Sequence, residues 1–395
     1  MTRFTQHLGA QSLRLASIVV FASLAFIPPI SLTADTYSRR FVQNSQDVIT
    51  LEPGKSIDRE LKAGETHRYA ITLAVGQYLQ VSVEQKGIDV KVEVAVPNKE
   101  QADFNDAQSQ TSREEIFLYA EQSGVIHLNI KSALANTPTG KYQLMVEALR
   151  PATEADRKAA QAQQLYLRAN LINDRGKAED IPTVIETFRD AGRLFDLAGK
   201  TRWAAKCLKS AGIVSFGSGN LRQAYGFFSQ ALPLARANGG PADLAGVLND
   251  LGLTTHRLGN LKEAAESFQE ALQIQRAIGN RTGEAITLNN LGQVLIDRGE
   301  IEKGAQLREQ SLSLRRELGD ERGVARMLNN LANVYIGWGQ IERGMEMRLQ
   351  SLALRRKLKD KPGEASTLNQ LAGAYAGFGE NRKAVEHYTL AIELW

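Results

Sequence analysis

Between Val48 and Leu149 the apolar residues fall on every second position. Tyr69, Ile71 and Leu73 form one such set, Leu79, Val81 and Val83 a second, and Val90, Val92, Val94 and Val96 a third; Ile126, Leu128 and Ile130, then Tyr142, Leu144 and Val146, complete the series. A period of two, carried by β-branched and aromatic residues and punctuated by "PG", "AGE", "VGQ", "KG" and "TG", predicts antiparallel strands with one buried face. About a hundred residues of this kind close most economically as a β-sandwich, expected here over 48–149. The polar stretch from Pro97 to Arg113 reads as a surface loop.

After Pro151 the period changes to that of a helix. Gly219, Gly259, Gly299, Gly339 and Gly379 recur every 40 residues, each opening a helix such as "NLKEAAESFQEALQIQRAIG" and each followed by a second such as "GEAITLNNLGQVLIDR". About six helix pairs are expected over 150–395, with units near 179–218, 219–258, 259–298, 299–338, 339–378 and 379–395. Small residues recur where two helices must approach closely: Ala224, Ala264, Gly304, Gly344 and Ala384 in one register, Gly212, Gly252, Gly292, Ala332 and Ala372 in the other. Leucines fill the complementary places, among them Leu248, Leu288, Leu328 and Leu368. One pair cannot bury its apolar stripe alone, whereas stacked pairs share a continuous core.

The spacing of Leu248, Leu251, Gly252, Ala264, Phe268 and Ala271 resembles the tetratricopeptide repeat in a forty-residue form similar to that of kinesin light chain, and the likeness covers roughly residues 155 to 395. Two repeats depart from it, because Arg308 and Arg348 stand where Phe228, Phe268 and Tyr388 supply an aromatic. The segments "LEPGKSIDRELKAGETHRYAITLAVGQYLQVSVEQKGIDVKVEVAVPN" and "GKYQLMVEALRPATEADR" resemble the β-domain that precedes such repeats in bacterial CHAT-domain proteins, whose C-terminal part is a caspase-like peptidase. That peptidase part is absent from these 395 residues. The expected fold is therefore multidomain: an N-terminal all-β sandwich followed by an all-α right-handed tetratricopeptide-repeat solenoid.

Paired amides repeat with the helices. Asn249, Asn289, Asn329 and Asn369 form one ladder; Asp250, Asn290, Asn330 and Gln370 form the other. With Leu288 and Leu291 marking the buried stripe, Asn289 and Asn290 fall on its flanks, each about 130° from its centre. A primary amide offers a donor and an acceptor together, so such a row suits the backbone of an extended peptide whatever its sequence. The resemblance implies such use, since the first helix of each pair lines the groove. Gln293, Arg326 and Asn333 lie near the same face. The candidate peptide-binding residues are thus Asn249, Asn289, Asn290, Gln293, Arg326, Asn329, Asn330, Asn333, Asn369 and Gln370; the competing reading has the amides bonding neighbouring helices and setting the stacking angle.

Other chemistry lacks its residues. Arg315, Arg316, Arg355 and Arg356 read as a solvated outer face near helix C-termini, where cations oppose the dipole. Cys207, the only cysteine, precedes Leu208 in a small packing register, so neither an intrachain disulfide nor a thiol nucleophile is expected. His67, His127, His256 and His387 are scattered without metal or catalytic spacing, and neither HExxH nor G-x-S-x-G occurs. "AGKT", Ala198 to Thr201, has Leu194 where a phosphate loop needs glycine, and reads as a turn. Neither a catalytic residue, a metal site nor a cofactor is implied.

Composition adds the compartment. Arg3 and Arg14 lead into "LASIVVFASLAFI", Leu15 to Ile27, which is too short to span a bilayer comfortably and ends before "SLTA". A signal peptide is expected over 1–34, then a linker over 35–47, so the chain is expected to be exported to the periplasm or beyond in a bacterium, with no stable membrane insertion afterwards. The formal net charge of +4 is no nucleic-acid footprint without a clustered basic face. The resulting expectation is a non-enzymatic scaffold that holds a protein or an extended peptide segment in the concave face. Two alternatives stay open: the recognition arm of a truncated CHAT-type caspase-like peptidase, and an envelope carbohydrate-binding β-domain with a repeat tail. For the second, the aromatics Tyr69, Tyr78, Phe104, Phe117, Tyr119 and Tyr142 mostly fit the alternation of core positions.

Overall fold

A computed structural model describes residues 48–96, 102–104, 113–133 and 139–394; the expected signal peptide and linker lie outside them. Nine strands among the described residues build two facing sheets. Strands β1 (Val48–Thr50), β3 (Thr66–Leu73), β8 (Gly124–Ser132), β5 (Val90–Ala95) and β6 (Ala102–Phe104) lie side by side in that order, and β2 (Ser56–Leu61), β9 (Gly140–Pro151), β4 (Gln77–Lys86) and β7 (Arg113–Tyr119) form the second sheet. Among the described residues only β1 against β3 is parallel; Tyr69 opposes Leu128 and Ile71 opposes Ile126 in the antiparallel β3–β8 ladder. All five alternating sets point between the sheets, apart from the partly buried Val96 at the margin. Strand β6 falls inside the stretch expected to be a loop, paired to β5 with Val92 opposite Phe104. Three residues are too few for a period-two pattern to show.

A hydrogen-bonded trio joins the sheets inside this core. The Tyr69 and Tyr142 hydroxyls are 2.5 Å apart, and His67 Nδ1 is 2.7 Å from the Tyr142 hydroxyl. Burial pushes the His67 imidazole below its ordinary value of 6.5, with Arg59 adding to the effect and Glu65 opposing it. The folded state therefore prefers neutral His67, and below pH 6.5 the unfolded chain takes up the proton first. Its contribution to stability is complete above the unfolded value and is lost as the pH falls through 6.5 towards the depressed folded value. Urea midpoints compared between about pH 7.5 and about pH 5.5 are expected to fall more steeply for the native chain than for His67→Gln. Equal slopes would remove the imidazole from the account.

Twelve α-helices follow among the described residues: α1 (Glu154–Asn173), α2 (Ile181–Leu197), α3 (Thr201–Gly217), α4 (Leu221–Asn238), α5 (Pro241–Arg257), α6 (Leu261–Ala277), α7 (Arg281–Asp297), α8 (Ile301–Glu317), α9 (Glu321–Gly337), α10 (Ile341–Lys357), α11 (Lys361–Gly377) and α12 (Asn381–Glu393). They stack as six hairpins in a solenoid, α1 with α2 through α11 with α12. The forty-residue glycines make the turns inside the hairpins from α3 onward, at φ between 78° and 86°, a region costly for any residue with a Cβ. Asn280, Asp320 and Asp360 cap α7, α9 and α11, each side chain accepting from the backbone three residues on, at Gly283, Gly323 and Gly363. These caps mark where the last three hairpins begin.

The two halves are joined by a packed interface. Tyr78 and Phe117 sit on the outer face of the second sheet and are buried against Ala159 and Ala162 of α1, Phe195 of α2 and Trp203 and Cys207 of α3. Gln163 of α1 is 1% exposed and receives the Phe117 N–H at 2.5 Å while donating to the Glu115 carbonyl at 2.7 Å, so one carboxamide closes the hydrogen-bonding edge of β7. Trp203 Nε1 donates to the Glu115 carboxylate at 3.0 Å. Helix α1 is also anchored at its start: burial alone would raise the Asp156 carboxyl, but bonds from Arg150 and Thr153 hold it below the usual range.

Candidate functional site

The candidate residues all lie on the first helices of consecutive hairpins, α5, α7, α9 and α11, but their surroundings differ along the row. On α5 and α7 the amides are tied to one another. Asn249 Oδ1 receives Asn290 Nδ2 at 3.3 Å and the Thr287 hydroxyl at 3.3 Å, and Asn289 Nδ2 donates to Asn290 Oδ1 at 3.0 Å. Three of these four residues bond across adjacent hairpins. Asp250, 3.8 Å from Lys209 of α3, links α5 to the preceding first helix; burial pushes its carboxyl above the usual range, and Lys209 opposes the shift.

Further along, the row opens. Asn330 of α9 is half-buried and Asn369 of α11 is exposed, and neither side chain bonds another group among the described residues. Arg326 is exposed one turn before Asn330. Asn329, expected among the groove residues, is instead buried at 5% exposure, on the α9 face that also buries Leu328 and Ala332. The side-chain oxygens Asn289 Oδ1, Asn329 Oδ1 and Gln370 Oε1 are enclosed without a protein donor.

Gln293 and Asn333 meet partners that the alternating pattern concealed. Arg308 Nη2 donates to Gln293 Oε1, and Arg348 Nη2 donates to Asn333 Oδ1. Arg308 and Arg348 are 5% and 4% exposed, so they replace the missing aromatics as buried groups. The sequence holds a signal for this in paired exchange. Where the second helix carries Phe228 or Phe268, the first carries Ile213 or Leu253; where it carries arginine, the first carries an amide. The same two hairpins replace an alanine by Ser311 and Ser351, whose hydroxyls bond the Ala285 and Ala325 carbonyls at 2.6 and 2.7 Å.

The four arginines expected on a solvated face divide into two kinds. Arg316 and Arg356 are exposed, as expected. Arg315 and Arg355 are largely buried and turn back to Asp320 and Asp360, the residues that cap α9 and α11. The correction has a steric reason: glycine at 323 and 363 leaves the room that these guanidinium groups occupy. Cys207 is fully buried at the interface between the halves, away from any surface. Among the described residues no group of three or more His, Cys, Asp or Glu is placed to hold a metal ion. The outer-sheet aromatics Tyr78 and Phe117 are covered by helices rather than pointing into the sandwich core, so they present no ring to a sugar.

Residues 208–277 and 283–343 match the family model of the tetratricopeptide repeat. The helical array carries tetratricopeptide repeats. Among solved structures, similar ones are BtubC (BKLC) from P. vanneervenii, at 22% identity over 62% of this chain and 91% of that one with a TM-score of 0.44, and a protein described as a kinesin light chain from Podosopora anserina with nearly identical TPR-like repeats, at 17% identity over 48% and 93% with a TM-score of 0.42. A signal transduction ATPase with numerous domains from Pyrococcus horikoshii, which has a tetratricopeptide repeat sensor, aligns at 15% identity over 61% of this chain and 37% of that one, with a TM-score of 0.50. At these identities the likeness concerns the fold of the tetratricopeptide-repeat array alone. No curated protein matches the sequence.

Proposed function

We propose that the chain is a non-enzymatic scaffold that holds an extended protein or peptide segment along the first-helix face of its tetratricopeptide repeats, on the concave side of the solenoid. The observation that carries this reading is the open end of the amide row, where Asn330 and Asn369 stand on consecutive first helices with their side-chain donors and acceptors unused and Arg326 exposed beside them. Unused carboxamides on successive first helices, here one from each ladder, can bond peptide groups of an extended chain laid across them. Each such bond contributes about 0.5–1.5 kcal/mol, so capture needs several in a row. The tied amides of α5 and α7 serve the stacking of hairpins in this reading.

The tied and open amides give a direct test with a fluorescein-labelled pool of random decapeptides. Asn330→Ala combined with Asn369→Ala is expected to weaken binding about tenfold or more while melting stays within about 1 kcal/mol. Asn249→Ala combined with Asn290→Ala is expected to do the reverse, lowering stability by about 1–3 kcal/mol through lost bonds between hairpins. Unchanged peptide binding in the first double variant would show that the open amides are not the contact surface. The proposed place of action, outside the cytoplasm, rests on Arg3, Arg14 and the apolar run from Leu15 to Ile27. No helix among the described residues is long and apolar enough to cross a membrane.

A further inference from the structure

Two guanidinium groups stand inside the array without a carboxylate bonded to them. Arg308 of α8 and Arg348 of α10 take the register that Phe228 and Phe268 fill in earlier hairpins. A buried charge is costly unless it is paired, and a neutral amide is a weak partner for it. Neither arginine forms an ion pair among the described residues, and the Nε of each lacks an acceptor. Burial lowers the pKa of both groups from its ordinary value.

The two sites are not equivalent. Near Arg308 lies Asp297, which opposes the shift, and which takes Gln293 Nε2 at 2.7 Å and lies 2.6 Å from His256 Nε2. That charge is already offset in part. Near Arg348 no acid contributes. Its guanidinium passes between the first helices instead: Nη1 donates to the Gln370 carbonyl of α11 at 2.9 Å, and Nη2 reaches Asn333 of α9, whose side chain is at the surface. The positive charge of α10 is thereby delivered to the seam between α9 and α11, beside the open amides Asn330 and Asn369. Asn333, exposed at the surface, holds the place of an acceptor there.

We propose that Arg348 and Asn333 form a seat for an acidic side chain of the bound segment, whose carboxylate takes the place of Asn333 Oδ1 on the guanidinium while Asn333 Nδ2 turns to donate to it. This rests on the reading of the array as a peptide-holding scaffold and adds the charge of the partner. A charged acceptor bonds a guanidinium about twice as strongly as a neutral one, and the planar fork matches two carboxylate oxygens. A phosphoryl group shares that chemistry. The Arg308 site, with Asp297 beside it, is expected to discriminate less.

The probes are a fluorescein-labelled decapeptide of alternating Glu and Ala, its Gln-for-Glu twin, and inorganic phosphate. The native chain is expected to bind the Glu peptide at least about tenfold more tightly than the Gln twin. Arg348→Gln should bring the two within about twofold, while Asn330→Ala with Asn369→Ala should weaken both alike. Folding is guarded by a second variant, Arg348→Phe with Ala332→Gly, which rebuilds the Phe268 and Gly252 pair of the α5–α6 hairpin and should show the same loss of preference. Competition by inorganic phosphate that disappears in Arg348→Gln supports the seat and extends it to phosphoryl groups. If the native chain binds both peptides equally well, the seat is wrong and the scaffold reading stands. A Glu preference that survives in both Arg348 variants assigns it to another cation and overturns the seat. If neither peptide binds, the scaffold reading fails and the seat fails with it.

Discussion

Gln163→Leu is expected to lower the stability of the whole described body by about 2–4 kcal/mol, read as a shift of the urea midpoint at constant slope. The side chain is buried and satisfies two backbone groups of β7 at once, the Phe117 N–H and the Glu115 carbonyl. Leucine fills nearly the same volume, so little is lost in packing. The cost comes from leaving a donor and an acceptor enclosed without partners, about 1–3 kcal/mol for each. Gln163→Glu is a sharper version, since a carboxylate can still receive the Phe117 N–H but cannot donate to Glu115. It should fall between the two and worsen as the pH rises through the carboxyl range. A Gln163→Leu chain as stable as the native one would mean that β7 finds its partners in water and that the interface does not depend on this contact.

Gly304→Val is expected to cost about 3 kcal/mol or more, and to reduce the cooperativity of unfolding in the C-terminal hairpins. Helices α7 and α8 cross with glycine against glycine. A Cβ at 304 would lie 2.5 Å from the Gly292 carbonyl oxygen and 2.6 Å from Ile296 Cγ1, and a Cβ at 292 would lie 2.7 Å from the Gly304 carbonyl oxygen. Backbone on one side cannot move aside as a flexible side chain can. Gly304→Ala already sets a Cβ against the Gly292 carbonyl oxygen, so it should cost about 1–3 kcal/mol even after up to about 1 kcal/mol gained in helix propensity, less than the valine. Gly226, in the middle of α4, has nothing within 4 Å of the place a Cβ would take, and it supplies the control: Gly226→Ala should stabilise by up to about 1 kcal/mol. Thermal melts of the three variants separate close approach from propensity.

The strands whose side chains alternate over several residues were legible because one face of each is buried and the other wet, and Tyr69, Ile71 and Leu73 show it cleanly. Strand β7 was harder to see, since Ile116 points into the sandwich while Phe117 is buried on the other side by α1 and α3, which erases the alternation. Helix positions followed from the forty-residue glycines, where the turn conformation excludes nearly every other residue. The joint between the halves had no such signature. Gln163 is one of three glutamines on α1, with Gln161 and Gln164, and its role depends on a strand edge distant in sequence.

For the candidate site, the register of the amides was legible and their hydrogen bonds were not. Asn289 and Asn329 occupy the same place in the repeat, yet one is half-buried in a chain of amides and the other is enclosed, and such surroundings depend on residues of other helices that the register of one helix does not give. Arg308 and Arg348 looked like defects in the repeat when read singly. Read together with Gln293 and Asn333, they are a coordinated polar exchange of both members of a contact.

That exchange also bears on how the chain finds its own register. Successive hairpins are so alike that a second helix could settle on the first helix of a neighbour, a hazard for any tandem array. An α8 displaced onto α5 would set the Arg308 guanidinium against Leu253 with no acceptor, whereas on α7 it meets Gln293. The polar pair thus acts as an address within an otherwise repetitive chain, and mispaired arrangements are penalised at the moment of docking.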